Sequence, residues 1–222
     1  MRILTVRVLR LPNSAIPEEF AALAAEPDVD LAFVERAQEL GIPDLVILPG
    51  SEATIPDLAF LHESGMDRAL RHAADGGSLL FGICGGFQMM GTELHDPEGL
   101  EGGVGHAKGL GIFDLATTFT REKIDEPVAA TGAGAGFLGE GERVSGFELH
   151  GGRSTLAGDG AVPLFREPAK GGSSCPLGVA TRDYSAMGTY LHGVLADPVF
   201  RRRILDHLRS RKGLPSPASE PR

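Results

Sequence analysis

Cys84 ends an apolar run, Leu79-Leu80-Phe81-Gly82-Ile83, and is followed by Gly85-Gly86-Phe87-Gln88. This is the pattern of a nucleophile elbow, a sharp strand-to-helix turn that lifts one side chain off the edge of a sheet. Glycines 82, 85 and 86 suit such a turn, which needs unusual φ/ψ and close backbone approach. A cysteine at a helix N-terminus is held towards the thiolate, the form that attacks carbonyl carbon. The Gly85 N–H can then face the oxyanion that the attack creates. A cysteine after an apolar run is more often a buried structural residue. The flanking glycines reverse that reading.

A thiol nucleophile needs a base and a second oxyanion donor, and neither has to be near it in sequence. The turn Leu48-Pro49-Gly50-Ser51 follows a buried run and can offer backbone N–H groups towards Cys84, although Pro-Gly after a strand is also a common plain turn. Two of the seven histidines stand at the ends of strand-like segments. They are His192 in Gly188-Thr189-Tyr190-Leu191-His192-Gly193 and His150 in Gly146-Phe147-Glu148-Leu149-His150-Gly151. Strand-end geometry favours His192, with His150 as its rival. His62, His72 and His207 fall in helical segments among charged neighbours and are expected in solvent; His95 and His106 are expected in loops.

The elements that must position these groups alternate. Ile3–Leu9, Val29–Val34, Asp44–Leu48 and the run into Cys84 read as strands; Pro17–Ala25, Pro56–Leu61 and Met66–Ala74 read as helices. Such alternation implies a mainly parallel sheet flanked by helices, with ligands bound beyond the carboxyl ends of the strands. The second half is less regular. Gly109–Thr118, Arg143–Leu149, Gly178–Arg182 and Ala186–Leu191 are strand-like, and a glycine- and alanine-rich loop is expected between Glu126 and Glu142. Pro198–Arg211 is a helix with Asp197 as cap, Pro198 at its first position and Gly213 beyond its end.

Composition excludes several classes. A formal net charge of −9 argues against a nucleic-acid or anionic membrane surface as partner, and no apolar run is long enough to span a bilayer. Arg2, Arg7 and Arg10 interrupt the first segment, which is no signal peptide. Two cysteines, Cys84 and Cys175, make neither a disulfide framework nor a zinc motif, so a reducing cytoplasm is the expected setting. Gly134-Ala135-Gly136-Phe137-Leu138-Gly139 matches the dinucleotide fingerprint literally, but no strand precedes it. Gly103–Gly109 lacks the order of a P-loop, and no His/Cys/Asp/Glu spacing points to a metal.

Taken in order, Pro49-Gly50-Ser51, Gly82-Ile83-Cys84-Gly85-Gly86-Phe87-Gln88, Phe147-Glu148-Leu149-His150-Gly151-Gly152-Arg153 and Gly188-Thr189-Tyr190-Leu191-His192-Gly193 resemble the class I glutamine amidotransferases. Within them the chain is most similar to the cobyric acid synthase type of glutaminase domain. Asp57-Leu58-Ala59-Phe60-Leu61, Gly109-Leu110-Gly111 and Phe200-Arg201-Arg202 match as well. The resemblance implies a flavodoxin-like α/β fold, with a glutaminase domain over 1–212; the remaining 213–222, with three prolines and little to bury, is expected to be a disordered tail. It implies hydrolysis of glutamine by a cysteine nucleophile and delivery of ammonia to an ATP-dependent synthetase that amidates corrinoid carboxylates, with no cofactor in the glutaminase itself. Carried over by position, Cys84 is the nucleophile, His192 the base, Gly50 and Gly85 the oxyanion donors, and Gln88 a substrate contact. His150 and Glu148 become accessory residues beside the site.

Two departures stand out. Many class I relatives carry an acid two positions after the catalytic histidine, where this chain has Val194; a Cys–His dyad is the arrangement expected of this branch, with Glu148 the best-placed remaining acid. The synthetase that precedes the glutaminase in full-length cobyric acid synthase is also missing: Met1 falls where the glutaminase would begin. The chain is then a separate subunit, a shortened gene or an expressed fragment. A glutaminase for another acceptor, such as the lipid II isoglutaminyl synthase type, a catalytically silent docking module and a flavin-binding module remain open at this point.

Overall fold

The computed structural model describes residues 3–14, 17–102, 105–134 and 137–215. In chain order its elements are β1 (Leu4–Leu9), a 3-10 turn (Pro17–Phe20), α1 (Ala21–Ala24), β2 (Val29–Val34), α2 (Ala37–Leu40), β3 (Leu45–Leu48), α3 (Thr54–Glu63) and α4 (Met66–Asp75). Then follow β4 (Leu79–Ile83), α5 (Gly85–Met89), β5 (Glu93–His95), β6 (His106–Lys108), β7 (Leu115–Thr131) and β8 (Arg143–Leu156). The chain closes with β9 (Ala161–Pro163), β10 (Gly178–Thr181), β11 (Ala186–Thr189), β12 (Leu191–His192) and α6 (Pro198–Arg211).

Seven strands form one sheet in the order β2-β1-β3-β4-β11-β10-β9. The first five are mutually parallel, and β10 and β9 add antiparallel at one edge. β3 and β4 are buried along their whole length, as their unbroken apolar sequences require of strands covered on both faces. On one face Phe200 of α6 stacks on Phe81 at 5.8 Å. The cap of α6 is the expected one, with the Asp197 carboxylate accepting from the N–H groups of Val199 and Phe200 at 2.9 and 3.1 Å. The other face is filled by Phe87, which meets Tyr190 edge-on at 5.2 Å and Phe113 at 5.7 Å.

A second sheet, β12-β8-β7-β5-β6, was not legible in the sequence. Its centre is the long antiparallel ribbon of β7 and β8, in register from Leu115↔Leu156 to Thr131↔Arg143 with a shift between Thr118 and Lys123. The strand expected over Gly109–Thr118 therefore starts at Leu115, and Glu126–Thr131, expected as loop, is its far end. Pro127 is tolerated there because this outer part of β7 has β8 on one side only. β8 runs on from Leu149 to Leu156. Pro17–Ala25 is a 3-10 turn leading into one turn of α-helix rather than a single helix. Ala186–Leu191 divides at Tyr190, where the chain leaves the first sheet and joins the second. Ala135 and Gly136 of the fingerprint-like loop, and residues 216–222 of the expected tail, lie outside the described residues.

Candidate active site

Cys84 follows β4 directly and has φ 50° and ψ −111°, a backbone conformation that residues with a Cβ rarely adopt. The surroundings hold it there. Its N–H donates to Thr189 O at 2.8 Å and its carbonyl accepts from Gln88 N–H at 2.9 Å. A Cβ on Gly86 would lie 2.0 Å from Leu48 O, so only glycine lets α5 start this close to the end of β3. α5 has five residues, and its contribution to the thiol is that of the free N–H groups of one turn rather than of a long macrodipole. The Sγ donates to Leu149 O at 3.1 Å, which places β8 over the thiol.

His192 reaches the same point from the junction of the two sheets, paired through β12 with Phe147 of β8. A Cβ on Gly50 would sit 2.9 Å from His192 Cε1 and 3.8 Å from Cys84 Cβ. Any side chain at 50 would intrude where nucleophile, base and turn converge. The ring is buried, and on its Nδ1 side stands Glu19 Oε2 at 3.5 Å, an ion-pair distance. Burial disfavours the charged ring, but the Cys84 sulfur and the Glu19 carboxylate outweigh it and push the His192 pKa up to about 10. Val194 carries no acid, and the 3-10 turn after β1 brings the Glu19 carboxylate to this side of the ring.

The Gly50-Ser51 turn is tied down from below. Asp57, fully buried in α3, accepts from Asn13 N–H at 3.1 Å, Asn13 Nδ2 at 2.9 Å and Ser51 Oγ at 2.6 Å. Glu52 N–H adds a bond to Asn13 O at 3.0 Å. Among the described residues, neither the Gly50 nor the Gly85 N–H donates to a protein acceptor. The two amides thus flank the thiol with their hydrogens uncommitted, which is what an oxyanion site requires.

Gln88 is held by its Nε2, which donates to Gly151 O at 3.0 Å, and lines the cavity beside Cys84. His150 also lines it, but points its Nε2 to Glu148 Oε1 at 3.0 Å and lies 4.1 Å from the Tyr190 ring. Glu148 accepts Lys170 N–H at 2.6 Å as well. Tyr190, Ser154 and Thr117 continue this layer as a buried hydroxyl chain. The cavity has a volume of about 770 Å³ and brings together Gly50, Cys84, Gln88, His150 and His192. Arg121 and Lys123 of β7 and the carboxylates of Glu52 and Glu101 complete its walls. Burial raises the Glu101 pKa above its ordinary value, against the Thr54 N–H that the carboxylate accepts at 2.5 Å.

All seven residues singled out from the sequence thus meet in or against one cavity, with Glu148 behind His150. Sequence reasoning did not place Glu19 beside His192 or Asp57 beneath the Gly50-Ser51 turn. Asp57 had a signal, a carboxylate on the buried side of an apolar helix; Glu19 had none. Three histidines also differ from expectation. His207 is half-buried against Phe137 and Tyr184, and burial lowers its pKa. His95 and His106 face each other across β5 and β6, where their ring nitrogens and the Glu93 carboxylate come within 4.8 Å of one another, a cluster that no sequence spacing announced.

Residues 5–200 match the model of the CobB/CobQ-like glutamine amidotransferase domain. A cobyric acid synthase from Sorangium cellulosum is 40% identical over 98% of this chain and 45% of its own length. One from Gloeobacter violaceus is 44% identical over 96% of the chain and 40% of its own length. The chain therefore spans less than half of each of these relatives. The structure of PurLQS from Thermotoga maritima superposes with a TM-score of 0.70 at 16% identity, covering 95% of this chain and 99% of that one. A crystal structure of a glutamine amidotransferase gives 0.64 at 19%, covering 94% and 99%. These two likenesses establish the flavodoxin-like fold. The chain belongs to the CobB/CobQ-like glutamine amidotransferase family.

Proposed function

We propose that Cys84 hydrolyses glutamine through a γ-glutamyl thioester and that the ammonia serves an ATP-dependent synthetase lying outside this chain. The observation that carries the reading is the convergence of the Cys84 thiol, the His192 ring and the Gly50 turn at the carboxyl ends of β3, β4 and β11. His192 takes the thiol proton, and Sγ attacks the glutamine amide carbon. The tetrahedral oxyanion is received by the N–H groups of Gly50 and Gly85. Collapse expels the amide nitrogen, which takes its proton from the imidazolium and leaves as ammonia. A water, deprotonated by the same ring, then cleaves the thioester to glutamate. Every proton removed by His192 is returned by it within the cycle.

The walls of the cavity suit an amino acid zwitterion. Lys123, and Arg121 beside its partner Glu98, offer cations to its α-carboxylate, and Glu101 and Glu52 offer carboxylates to its α-ammonium. Gln88 orients the side-chain amide, and His150 with Glu148 supports β8 beneath it. Corrinoid side-chain carboxylates are the proposed final acceptors, a reading supported by the cobyric acid synthase relatives. The setting is a reducing cytoplasm, in keeping with two free thiols.

The synthetase is proposed to dock over the cavity mouth, where Leu100 and Leu149 line the opening and Phe147 stands two residues from Leu149 on the same face of β8. All three are exposed apolar side chains, and ammonia released beneath them would pass into the partner without crossing solvent. The experiment measures glutamine hydrolysis with and without a synthetase of the relatives' type, ATP and a corrinoid acid. Slow turnover alone and faster turnover in the full mixture is expected. An equal rate in both would mark an independent glutaminase.

A further inference from the structure

We propose that Glu19 is the positioning residue for His192, completing a Cys–His–Glu triad whose acid comes from the opposite end of the chain; this rests on reading Cys84 and His192 as nucleophile and base. In class I relatives such an acid follows the histidine closely, and here that position is Val194. Glu19 lies on the 3-10 turn between β1 and β2, anchored by the buried side chains of Phe20 and Leu23. Its carboxylate is itself buried. Buried carboxylates are almost always paired, and this one has two partners, both at the end of β12. Oε1 accepts Gly193 N–H at 2.7 Å, and Oε2 stands 3.5 Å from His192 Nδ1.

The Nδ1 atom needs that partner. It is buried, and no group among the described residues makes a hydrogen bond to it. The groups facing the ring are Cys84 on one side and Glu19 on the other; Glu148, on the neighbouring strand, is turned to His150. A carboxylate facing Nδ1 fixes the tautomer that carries hydrogen there, leaving Nε2 free to take the thiol proton. It also stabilises the imidazolium that results. The bond to Gly193 N–H fixes the angle of approach by holding the residue next to the histidine. A separation of 3.5 Å is within the range that catalytic hydrogen bonds show before substrate binds.

The informative substitution is Glu19→Gln. Glutamine keeps an acceptor for Gly193 N–H and removes only the charge, while its NH₂ would favour the wrong tautomer of His192. The expected result is a kcat about 10- to 100-fold lower with KM for glutamine within about threefold. A second readout needs no glutamine: alkylation of Cys84 by iodoacetamide in the full chain, followed by peptide mapping across pH. Cys175 is an internal control, since burial pushes its thiol up to about 12. A weaker imidazolium supports the thiolate less, so alkylation of Glu19→Gln should begin at higher pH than in the parent, with Glu19→Asp intermediate. A folded Glu19→Gln chain with the parental kcat and alkylation profile would reduce Glu19 to a clamp on Gly193 and overturn the proposal. Should the Gln variant not fold, the Asp variant decides by the same profile. A parent chain that never hydrolyses glutamine would instead overturn the glutaminase reading, leaving the alkylation comparison to judge Glu19 separately.

Discussion

Two histidines line the cavity and each faces a buried carboxylate, yet the two pairs are built differently. Glu148 and His150 lie two residues apart on β8, bonded at 3.0 Å; Glu148 also holds Lys170 N–H, and the His150 ring rests against Tyr190 with its Nδ1 buried and unpaired among the described residues. Glu19 and His192 come from opposite ends of the chain, stand 3.5 Å apart, and meet beside the thiol. The local pair is bonded within one strand and stiffens β8. The distant pair leaves a ring nitrogen for the nucleophile and keeps the carboxylate close enough to stabilise a charge when it forms. Proximity in sequence and tightness of bonding therefore point to structure, and the looser, assembled pair points to chemistry.

The largest expected effect leaves both pairs in place. Cys84→Ala should lower glutamine hydrolysis at least about a thousandfold with the thermal midpoint little changed, because the thioester route is lost and the cavity has no second thiol. His192→Ala comes next, with an expected loss of about 10²- to 10⁴-fold, against less than about tenfold for His150→Ala. Equal losses would break the distinction drawn between the two pairs. Asp57→Asn, which loosens the Gly50-Ser51 turn, should lower kcat by roughly tenfold, checked by steady-state kinetics.

Glu148→Gln should have the smallest effect on rate, within about threefold, while costing about 1–3 kcal/mol of stability in denaturant melts as the His150 and Lys170 contacts weaken. The raised His192 pKa carries a stability sign of its own. A histidine with a folded pKa near 10 and an unfolded one near 6.5 stabilises the native chain in full below the unfolded value. That contribution is lost as pH rises from about 6.5 through about 10. The stability difference between parent and His192→Ala should therefore narrow over that window, and a constant difference would contradict the ion-pair environment.

What the sequence made legible follows the same division. The parallel half of the fold was readable because β3 and β4 are unbroken apolar runs bounded by glycine, and the elbow at Cys84 is written in consecutive residues. β7 was not, since its outer part is charged, interrupted by Pro127 and only half-buried, so it lacks the apolar alternation of a core strand. The Asp197 cap was legible because capping acts within three residues. Glu19 was not, because its bond to Gly193 spans 174 positions and only the meeting of the 3-10 turn with β12 creates it. Local chemistry can be read from spacing; an assembled pair waits for the fold.

The most direct test of the central account is mass spectrometry of the chain quenched in acid during turnover of glutamine. A γ-glutamyl group on the peptide that contains Cys84, present in the parent and missing from Cys84→Ala, is the predicted result. Glutamine consumed at the parental rate by Cys84→Ala, or the adduct found on Cys175, would contradict it.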